Sequence, residues 1–447
     1  MKLMAPIGIF KLSNKIIAEN IKIFLCDASE SRSYLRVLSS DSFEPMSFTV
    51  GDRISKNIYL SENEMDFSSW YEELIRDVLQ RIAESEKIVF DDIDKIISII
   101  GENLTIFLNF DLEGIKIYDL IWNQEFIDIL RRIIGFSLYG NPAIELLTHR
   151  KFNDLSKKII PEIINLIKEK DFDLSTLIKL AIISGFSGLD LKGAGVASSL
   201  LSQKGICMSP YLGMTLDDSI QNFYAELLIR LGCPTPVFHW NRFVQEITKI
   251  ESVKVAWFTD DYIETFFDLL FIDKLLDNYK NISITVIPRN GSYGNDASWS
   301  DVIDILDLKA FKNLRDKAGN RFYICRNGPI SGNVNLKKLS TDAVSIMGES
   351  NFIVIKGCRS HEMVQGGLNR PSFHMYAICR EFSERVTGFD ARESPLLFFY
   401  LPPGEYAFKG FNDPYLRTKT FPDGKKIYIS TFTLEDRERG LKNGYFS

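Results

Sequence analysis

The sequence lacks the features that mark secreted, zinc-thiolate and membrane proteins. Its six cysteines are dispersed along 447 residues without a CxxC pair, so neither a zinc site nor a disulfide framework is indicated. No apolar run reaches the length of a membrane-spanning helix. The N-terminal MKLMAPIGIF lacks the apolar region and small-residue cleavage site of a signal peptide. We therefore expect a cytoplasmic protein with reduced thiols and no membrane partner.

The chain also has no excess of basic residues. Its formal net charge of −6 argues against a nonspecific nucleic-acid binder, which would carry a basic surface. The stretch KGAG at 192–195 lacks the full GxxxxGK[ST] spacing and a clear preceding strand, so a phosphate loop there is disfavoured. What the chain does have is a hydrophobic content of 45% and 33 phenylalanines, enough for a large, bulky core in two or three domains.

Helical periodicity dominates the first half of the chain. Apolar residues recur at three- and four-residue spacing from Phe67 to Lys170, and further helices are predicted at Asp173–Ile183 and Asp217–Leu231. The segment Cys233-Pro234-Thr235-Pro236 breaks the helical pattern and predicts a boundary. We therefore predict a mainly α-helical N-terminal region over residues 1–240.

After Pro236, short β-rich runs alternate with helical runs. The predicted strands are nearly continuous apolar runs: Val253–Phe258, Ile282–Pro288, Arg321–Cys325, Phe352–Ile355 and Leu396–Leu401. The predicted helices between them are Asp261–Asn278, Ser300–Arg315, Thr341–Gly348 and Phe373–Val386. This alternation predicts an α/β fold over residues 241–447, with a largely parallel, helix-covered, Rossmann-like sheet. A final hairpin is predicted around PDGKKIYIST.

The stretch from Val253 to Asp304 carries the clearest chemical signal. Asp260 follows the first predicted strand, and Glu264 and Asp268 lie four and eight residues further on, so the three share one helical face. Converging carboxylates suit a hard divalent cation such as Mg²⁺ or Mn²⁺. Alternatively, Thr259 or Asp260 caps the helix and Glu264 favours its first turn, although Asp268 lies too far along to gain from a cap.

Two later strand ends also carry polar groups. The loop from Arg326 to Asn333 can turn backbone N–H groups toward an anion, or can be an ordinary turn. Lys356 ends a buried apolar strand, where its charge needs an anionic partner unless the side chain snorkels into solvent. Arg359, His361 and Glu362 follow closely. Such a cluster is typical of a site that binds a phosphate beside a metal ion.

Four segments, in order over about residues 250–390, resemble the damage-control phosphatase family (domain of unknown function 89, the acidic-residue-methyltransferase-1-like domain). TDDYIETFFDLLF is similar to the signature DNAGxExxxDL, and GNDASWSD is similar to NDxTxxD. RNGPISGNVNLKKLS followed by NFIVIKGCRSHE resembles the glycine loop and the strand ending KGxxNxE, and NRPSFHMYAICREF is similar to the next segment.

The resemblance implies a role for each matching residue. The implied metal ligands are Asp260, Asp261 and Asp296. Further carboxylates and their supporting loop would be Glu264, Asp268, Asn295 and Asp301. Implied contacts to the phosphate or substrate would come from Asn327, Gly328, Lys356 and Glu362, with Arg359 beside them. The family implies hydrolysis of phosphate esters of small metabolites, such as sugar phosphates, with Mn²⁺ or Mg²⁺, or else Co²⁺ or Ni²⁺.

The chemistry of these residues is coherent. A metal ion would polarise a phosphoryl oxygen, Lys356 and the backbone of Asn327 and Gly328 would neutralise developing charge, and Asp260, Glu264 or Asp268 would act on protons or water. Attack by water and attack through an aspartyl-phosphate are both compatible with this set. The sequence thus predicts a metal-dependent phosphatase that acts on a small phosphorylated metabolite.

Departures from the family motifs keep two alternatives open. Asp261 replaces an asparagine, Tyr262-Ile263 replaces Ala-Gly, and Ser360 replaces an asparagine. These changes are compatible with a specialised biosynthetic or noncatalytic protein on the same metal-binding scaffold. The other alternative is an S-adenosylmethionine-dependent carboxyl methyltransferase, although no G-x-G-x-G-type nucleoside loop is present. The histidines lack a second imidazole at ligand spacing, so we interpret them as structural: His149, His239, His361 and His374.

Overall fold

The computed structural model describes residues 92–187, 214–404 and the strand residues 416–420 and 426–430, with internal gaps, and single helical residues between 72 and 79. The gaps nearest the site are 292–295 and 329–333. Predictions made for the rest of the chain lie outside the described residues.

A seven-stranded sheet forms the centre of the described part of the chain. Its strands are β1 Val237–Phe238, β2 Val253–Phe258, β3 Ile282–Ile287, β4 Phe322–Ile324, β5 Phe352–Lys356, β6 Ser372–Ala377 and β7 Leu396–Leu401. Their order is β1-β7-β6-β5-β2-β3-β4. Strands β2 to β6 are parallel to one another. Strands β7 and β1 are parallel to each other and run in the opposite direction. The predicted α/β fold with a largely parallel sheet is confirmed.

Helices cover both faces of the sheet. They are α1 Ile93–Leu108, α2 Ile144–Glu169, α3 Leu174–Ile183, α4 Leu216–Arg230, α5 Trp240–Thr248, α6 Tyr262–Asn278, α7 Trp299–Leu306, α8 Lys312–Asp316, α9 Thr341–Glu349 and α10 Cys358–Val364. Neighbouring residues of one strand face opposite layers, since Trp257 packs into the core that contains α6 while Phe258 packs into the one that contains α9. This double cover explains why the strands are continuous apolar runs.

Helix α6 is buried along almost its whole length. Every residue from Tyr262 to Asp273 is buried, because α6 lies between the sheet and the helices α2 and α3. One continuous hydrophobic core joins residues of α2 and α3 to residues of the sheet. The division at residue 240 stays a prediction, and α2 and α3 on its N-terminal side pack directly on α6.

Two predicted helices differ from the structure. The helix predicted at Phe373–Val386 is wrong over its described first part, where Ser372–Ala377 forms β6 between β5 and β7. All six residues of β6 are buried, and polar Ser372 and His374 alternate with apolar Phe373 and Met375, a two-residue period that is typical of a strand. The helix predicted at Ser300–Arg315 is interrupted, because Leu308 adopts an extended conformation between α7 and a short 3₁₀ helix.

The remaining described elements are peripheral to the sheet. Leu416–Thr420 and Lys426–Ser430 pair antiparallel, which confirms the C-terminal hairpin strands. None of the described helices combines the length and the apolar character that crossing a membrane requires.

Candidate active site

The candidate site lies at the carboxyl ends of three adjacent parallel strands. Phe258 of β2 pairs with Ile287 of β3 on one side and with Ile355 of β5 on the other. The residues that follow these three therefore meet at one edge of the sheet. The strands that follow β2 in the chain, β3 and β4, lie on one side of it, and the next two, β5 and β6, lie on its other side. The carboxyl end of β2 is therefore a topological switch point. Open α/β sheets bind ligands at such points.

Three carboxylates converge there. Asp260 follows β2, Asp261 is the N-cap residue of α6, and Glu264 lies in the first turn of α6. One carboxylate oxygen from each lies within 4.8 Å of the others. Asp261 makes no side-chain capping bond to α6, so its carboxylate is oriented by something other than helix capping. Oxygen donors at this spacing fit a hard divalent cation.

Lys356, the last residue of β5, lies fully buried beneath these carboxylates. Its ammonium Nζ lies 2.5 Å from Asp268 Oδ1 and 3.0 Å from Glu264 Oε2. It also donates a hydrogen bond of 2.9 Å to the backbone carbonyl of Ala181, near the C-terminus of α3. The anionic partners expected for Lys356 are thus protein carboxylates. The predicted contact with phosphate stays a prediction.

Arg289 is a second buried cation at this edge, and sequence reasoning did not assign it a role. Its side chain is fully buried, with Nε donating to Asp296 Oδ2 at 3.1 Å and Nη2 to Asp260 Oδ1 at 3.3 Å. Nη2 also lies 3.4 Å from the hydroxyl of Ser360. Its position directly after an apolar strand and a proline could have identified Arg289 from the sequence, since a charge there needs buried partners.

The electrostatics of the site favour added positive charge. Burial raises the pKa of Asp260 to about 6 and of Asp296 to about 7, although Arg289 opposes both shifts. Burial likewise raises the pKa of Glu264 to about 7 and of Asp268 to about 6, against the effect of Lys356. Burial alone would lower the pKa of Lys356, but the two carboxylates outweigh it and raise that pKa.

The second acidic loop is held against the first by backbone bonds. Asp261 and Asp296 form an antiparallel bridge, and the N–H of Ala297 donates to the carbonyl of Asp260 at 2.8 Å. Asp301 forms a capping box with Ser298 at the start of α7, which supports the predicted role of Asp301 in shaping this loop. Asn295 lies outside the described residues.

The predicted phosphate-binding residues lie at the same edge. Asn327 is fully buried, and its Oδ1 accepts a hydrogen bond from the N–H of Asn290 at 3.1 Å. Its Nδ2 has no hydrogen-bond partner among the described residues. Gly328 has φ +123°, which only glycine adopts without strain. Arg359 is half-buried and close enough to lower the pKa of Asp260 and Asp296, whereas the side chain of Glu362 lies outside the described part.

Gly357 gives Asp260 the room it occupies. A Cβ built on Gly357 would lie 2.0 Å from Asp260 Oδ2, and the glycine has φ +89°. We expect Gly357→Ala to displace the Asp260 carboxylate and to lower any metal-dependent turnover about a hundredfold, since a shift of about 1 Å can cost that much. Turnover and Mn²⁺ affinity would be measured on the same preparations.

Gly319 offers a matched control for backbone strain. It has φ +78°, and no described heavy atom lies within 4 Å of a Cβ built on it. Gly319→Ala should therefore cost the same strain of about 1–2 kcal/mol without changing turnover. Equal loss of turnover in both variants would contradict the role of Gly357.

The helical region before the sheet also supplies part of the site. Besides the Ala181 carbonyl, the 3₁₀ turn Ser184–Ser187 approaches α6 so closely that a Cβ on Gly185 would lie 2.9 Å from Glu264 Oε1. Nothing in local periodicity predicts these two contacts, because they join segments far apart in the chain.

The spacing of the family signature allows two registers on α6. In the first register, the glutamate and the second aspartate of DNAGxExxxDL align with Glu264 and Asp268, which are also four residues apart. Thr259 then stands at the first aspartate of the motif and Asp260 at its asparagine. In the second register, Asp260 stands at the first aspartate, and this chain has one residue fewer than the motif before the glutamate. The structure places Asp260, Asp261 and Glu264 in the carboxylate cluster, so Asp260 remains the candidate ligand on geometry.

Three histidines have described side chains, His239, His361 and His374, and none of them belongs to the carboxylate cluster. His361 and His374 lie together, with their Nδ1 atoms 3.0 Å apart, and His374 Nε2 lies 2.9 Å from Ser372 Oγ. Burial lowers the pKa of His374 to about 3 and that of His361 well below its usual value, so both rings are neutral. His239 accepts a hydrogen bond from the N–H of Tyr400 at Nδ1. These contacts agree with structural roles.

Comparisons with known proteins identify the family and the fold of the chain. The family model described as the damage-control phosphatase ARMT1-like domain matches residues 148–380, just over half of the chain. A solved structure of a DUF89 family protein from Pyrococcus horikoshii is 19% identical, covering 73% of this chain and 96% of its own, with a TM-score of 0.50. That identity shows the fold alone. No curated protein sequence matches the chain. The match over residues 148–380 shows that the chain belongs to the damage-control phosphatase ARMT1-like domain family.

Proposed function

We propose that this protein is a divalent-metal-dependent phosphatase that hydrolyses phosphate esters of small metabolites, such as sugar phosphates. Family membership supports a phosphatase or hydrolase role. The observation that carries the finer proposal is the convergence of Asp260, Asp261 and Glu264 at the switch point of the sheet, beside buried cations.

The residues present fit a divalent metal ion. Asp260, Asp261 and Glu264 offer oxygen donors, and Asp296 lies beside them on the bridged loop. Burial is the main cause that raises the pKa of Asp260, Glu264 and Asp296, and a cation bound among them would stabilise their charged forms. When bound, Mg²⁺ or Mn²⁺ would supply Lewis acidity toward a phosphoryl oxygen, and Co²⁺ and Ni²⁺ are further candidates.

The proton-handling groups are Glu264 and Asp268. Burial raises the pKa of Glu264 to about 7 and that of Asp268 to about 6, and a metal ion bound to Glu264 would lower its pKa again. Lys356 contacts one oxygen of each of the two carboxylates. A carboxylate that the metal leaves free would orient a water molecule or receive its proton.

The phosphate would bind on the side of β4 and α10. Asn327 presents a buried amide there, and the backbone after β4 turns sharply at Gly328. Arg359 adds a half-buried guanidinium, which suits a phosphate dianion. Glu362 and Lys356 complete the predicted set. Arg359, Lys356 and the amide of Asn327 would neutralise charge on the equatorial oxygens, usually the larger catalytic contribution in phosphoryl transfer, whereas the Glu362 carboxylate could not.

Phosphate release from a substrate panel tests the proposal. The panel contains sugar phosphates and a chromogenic phosphate ester, each assayed with Mg²⁺, Mn²⁺, Co²⁺ or Ni²⁺ and with a chelator. We expect turnover that is lost in chelator and restored by added metal.

A folded protein that is silent with every metal would contradict the phosphatase proposal. Silence together with intact metal binding would favour a specialised or noncatalytic protein on the same scaffold. Saturable binding of S-adenosylmethionine without metal would instead favour the methyltransferase alternative.

A further inference from the structure

Arg289 lies buried between the two acidic loops and pairs with one carboxylate of each, Asp260 and Asp296. Its side chain is 0% exposed, and it contacts Asp296, Asp260 and the hydroxyl of Ser360. Burial of a charged guanidinium is costly unless carboxylates surround it. The contact to Ser360 also gives a structural role to a position where the family motif has asparagine.

The contacts of Arg289 use one oxygen from each carboxylate. They involve Asp260 Oδ1 and Asp296 Oδ2, whereas Asp260 Oδ2 lies in the space that Gly357 leaves. Arg289 thus orients both groups and does not close the cluster to a further cation.

The formal charges at the site sum to an excess of negative charge that one divalent cation would balance. The carboxylates of the described cluster are Asp260, Asp261, Glu264, Asp268 and Asp296, and its cations are Arg289, Lys356 and Arg359. Five negative and three positive groups leave an excess of two negative charges. Without Arg289 the excess would be three, in a buried setting where charge imbalance is expensive.

We infer that Arg289 is a positioning residue and a built-in counter-charge that keeps the site folded before metal binds. The inference rests on the proposed metal site. It predicts that, without the Arg289 charge, the stability of the folded protein depends more strongly on bound metal. A residue that served packing alone would destabilise the protein equally with and without metal.

Thermal unfolding in EDTA and in MnCl₂ tests the inference. For Arg289→Gln we expect a lower unfolding temperature in EDTA and a larger Mn²⁺-induced rise than in the wild type. The dissociation constant for Mn²⁺ should fall about tenfold, because the excess charge of the cluster grows. Arg289→Lys keeps the charge, so its Mn²⁺-induced rise should match that of the wild type.

The control is Arg315→Gln, which removes an arginine whose side chain is 60% exposed in a surface pair with Asp307. It should leave both unfolding temperatures unchanged. An equal Mn²⁺-induced rise in Arg289→Gln and wild type would overturn the inference, and so would a larger rise in Arg289→Lys. A wild-type protein without any response to Mn²⁺ would instead remove the proposed metal site, and the inference with it.

If Arg289→Gln is too unstable to purify in EDTA, the following outcomes decide. Recovery of folded protein only in the presence of Mn²⁺ would support the inference. If neither condition yields folded protein, Arg289→Gln combined with Asp296→Asn removes one charge of each sign. Folding of that double variant in EDTA would support a charge role, and failure to fold would overturn it.

Discussion

Replacing Asp260 with alanine or asparagine is expected to lower metal-dependent phosphate release at least about a hundredfold and to weaken Mn²⁺ binding in parallel. Asp260 belongs to the three-carboxylate group and receives a hydrogen bond from Arg289, so its loss removes a donor oxygen and leaves a buried guanidinium less well paired. Asparagine keeps the shape of the side chain and therefore separates loss of charge from loss of packing.

The measurements are initial rates of phosphate release and Mn²⁺ titration by calorimetry, with circular dichroism to verify the fold. Asp304→Asn is the matched control, because Asp304 is an exposed aspartate on α7 that pairs with Lys157. It should behave as the wild type. Full activity in Asp260→Ala would remove Asp260 from the proposed mechanism and, with it, the metal site as drawn.

Replacing Lys356 with methionine should destabilise the protein by about 3–5 kcal/mol, since it leaves two buried carboxylates without their cation. Lys356 is 0% exposed and contacts both Glu264 and Asp268. The same change should also lower turnover, because Glu264 loses the partner that holds it beside Asp260. Urea unfolding at neutral pH gives the change in stability directly.

Lys254→Met is the matched control for that experiment. Lys254 also lies in a sheet strand and pairs with a carboxylate, Glu349, but its side chain is 56% exposed. Exposed pairs contribute about 0–1 kcal/mol, so this variant should unfold close to the wild type. Adding Asp268→Asn to Lys356→Met should recover part of the lost stability. Equal effects of the two lysine variants would show that the buried contacts contribute little.

The sheet could be predicted from the sequence because its strands are buried on both faces. Val253–Phe258 and Leu396–Leu401 were predicted to the residue, as continuous apolar runs between polar ends. The error at Ser372–Ala377 has a different cause, since Ser372 and His374 alternate with Phe373 and Met375 at strand spacing although all six residues are buried. Burial reveals that an element belongs to the core, but it does not by itself distinguish a strand from a helix.

A site residue could be predicted where its own position in the sequence required a partner, as for a charged residue at the end of a buried strand. Lys356 was singled out because a charge at the end of a buried strand requires a partner, and the structure supplies Glu264 and Asp268. Arg289 presents the same problem after β3 and could have been found by the same argument. The contribution of Ala181 and Gly185 could not, because it depends on how α3 packs against α6.

The contact between Lys356 and Ala181 also sets an order of events during synthesis. The two residues are 175 positions apart, and Lys356 follows Asp268 by 88 positions. A growing chain therefore makes α3 and α6, with their carbonyl and carboxylates, well before the ammonium that pairs with them. Strand β2 can pair with β3 soon after both are synthesised, but its other side stays unpaired until β5 is synthesised. A chain halted before residue 352 therefore has one unpaired side of β2 and two carboxylates, Glu264 and Asp268, without their ammonium partner, and an unpaired strand favours association with other chains.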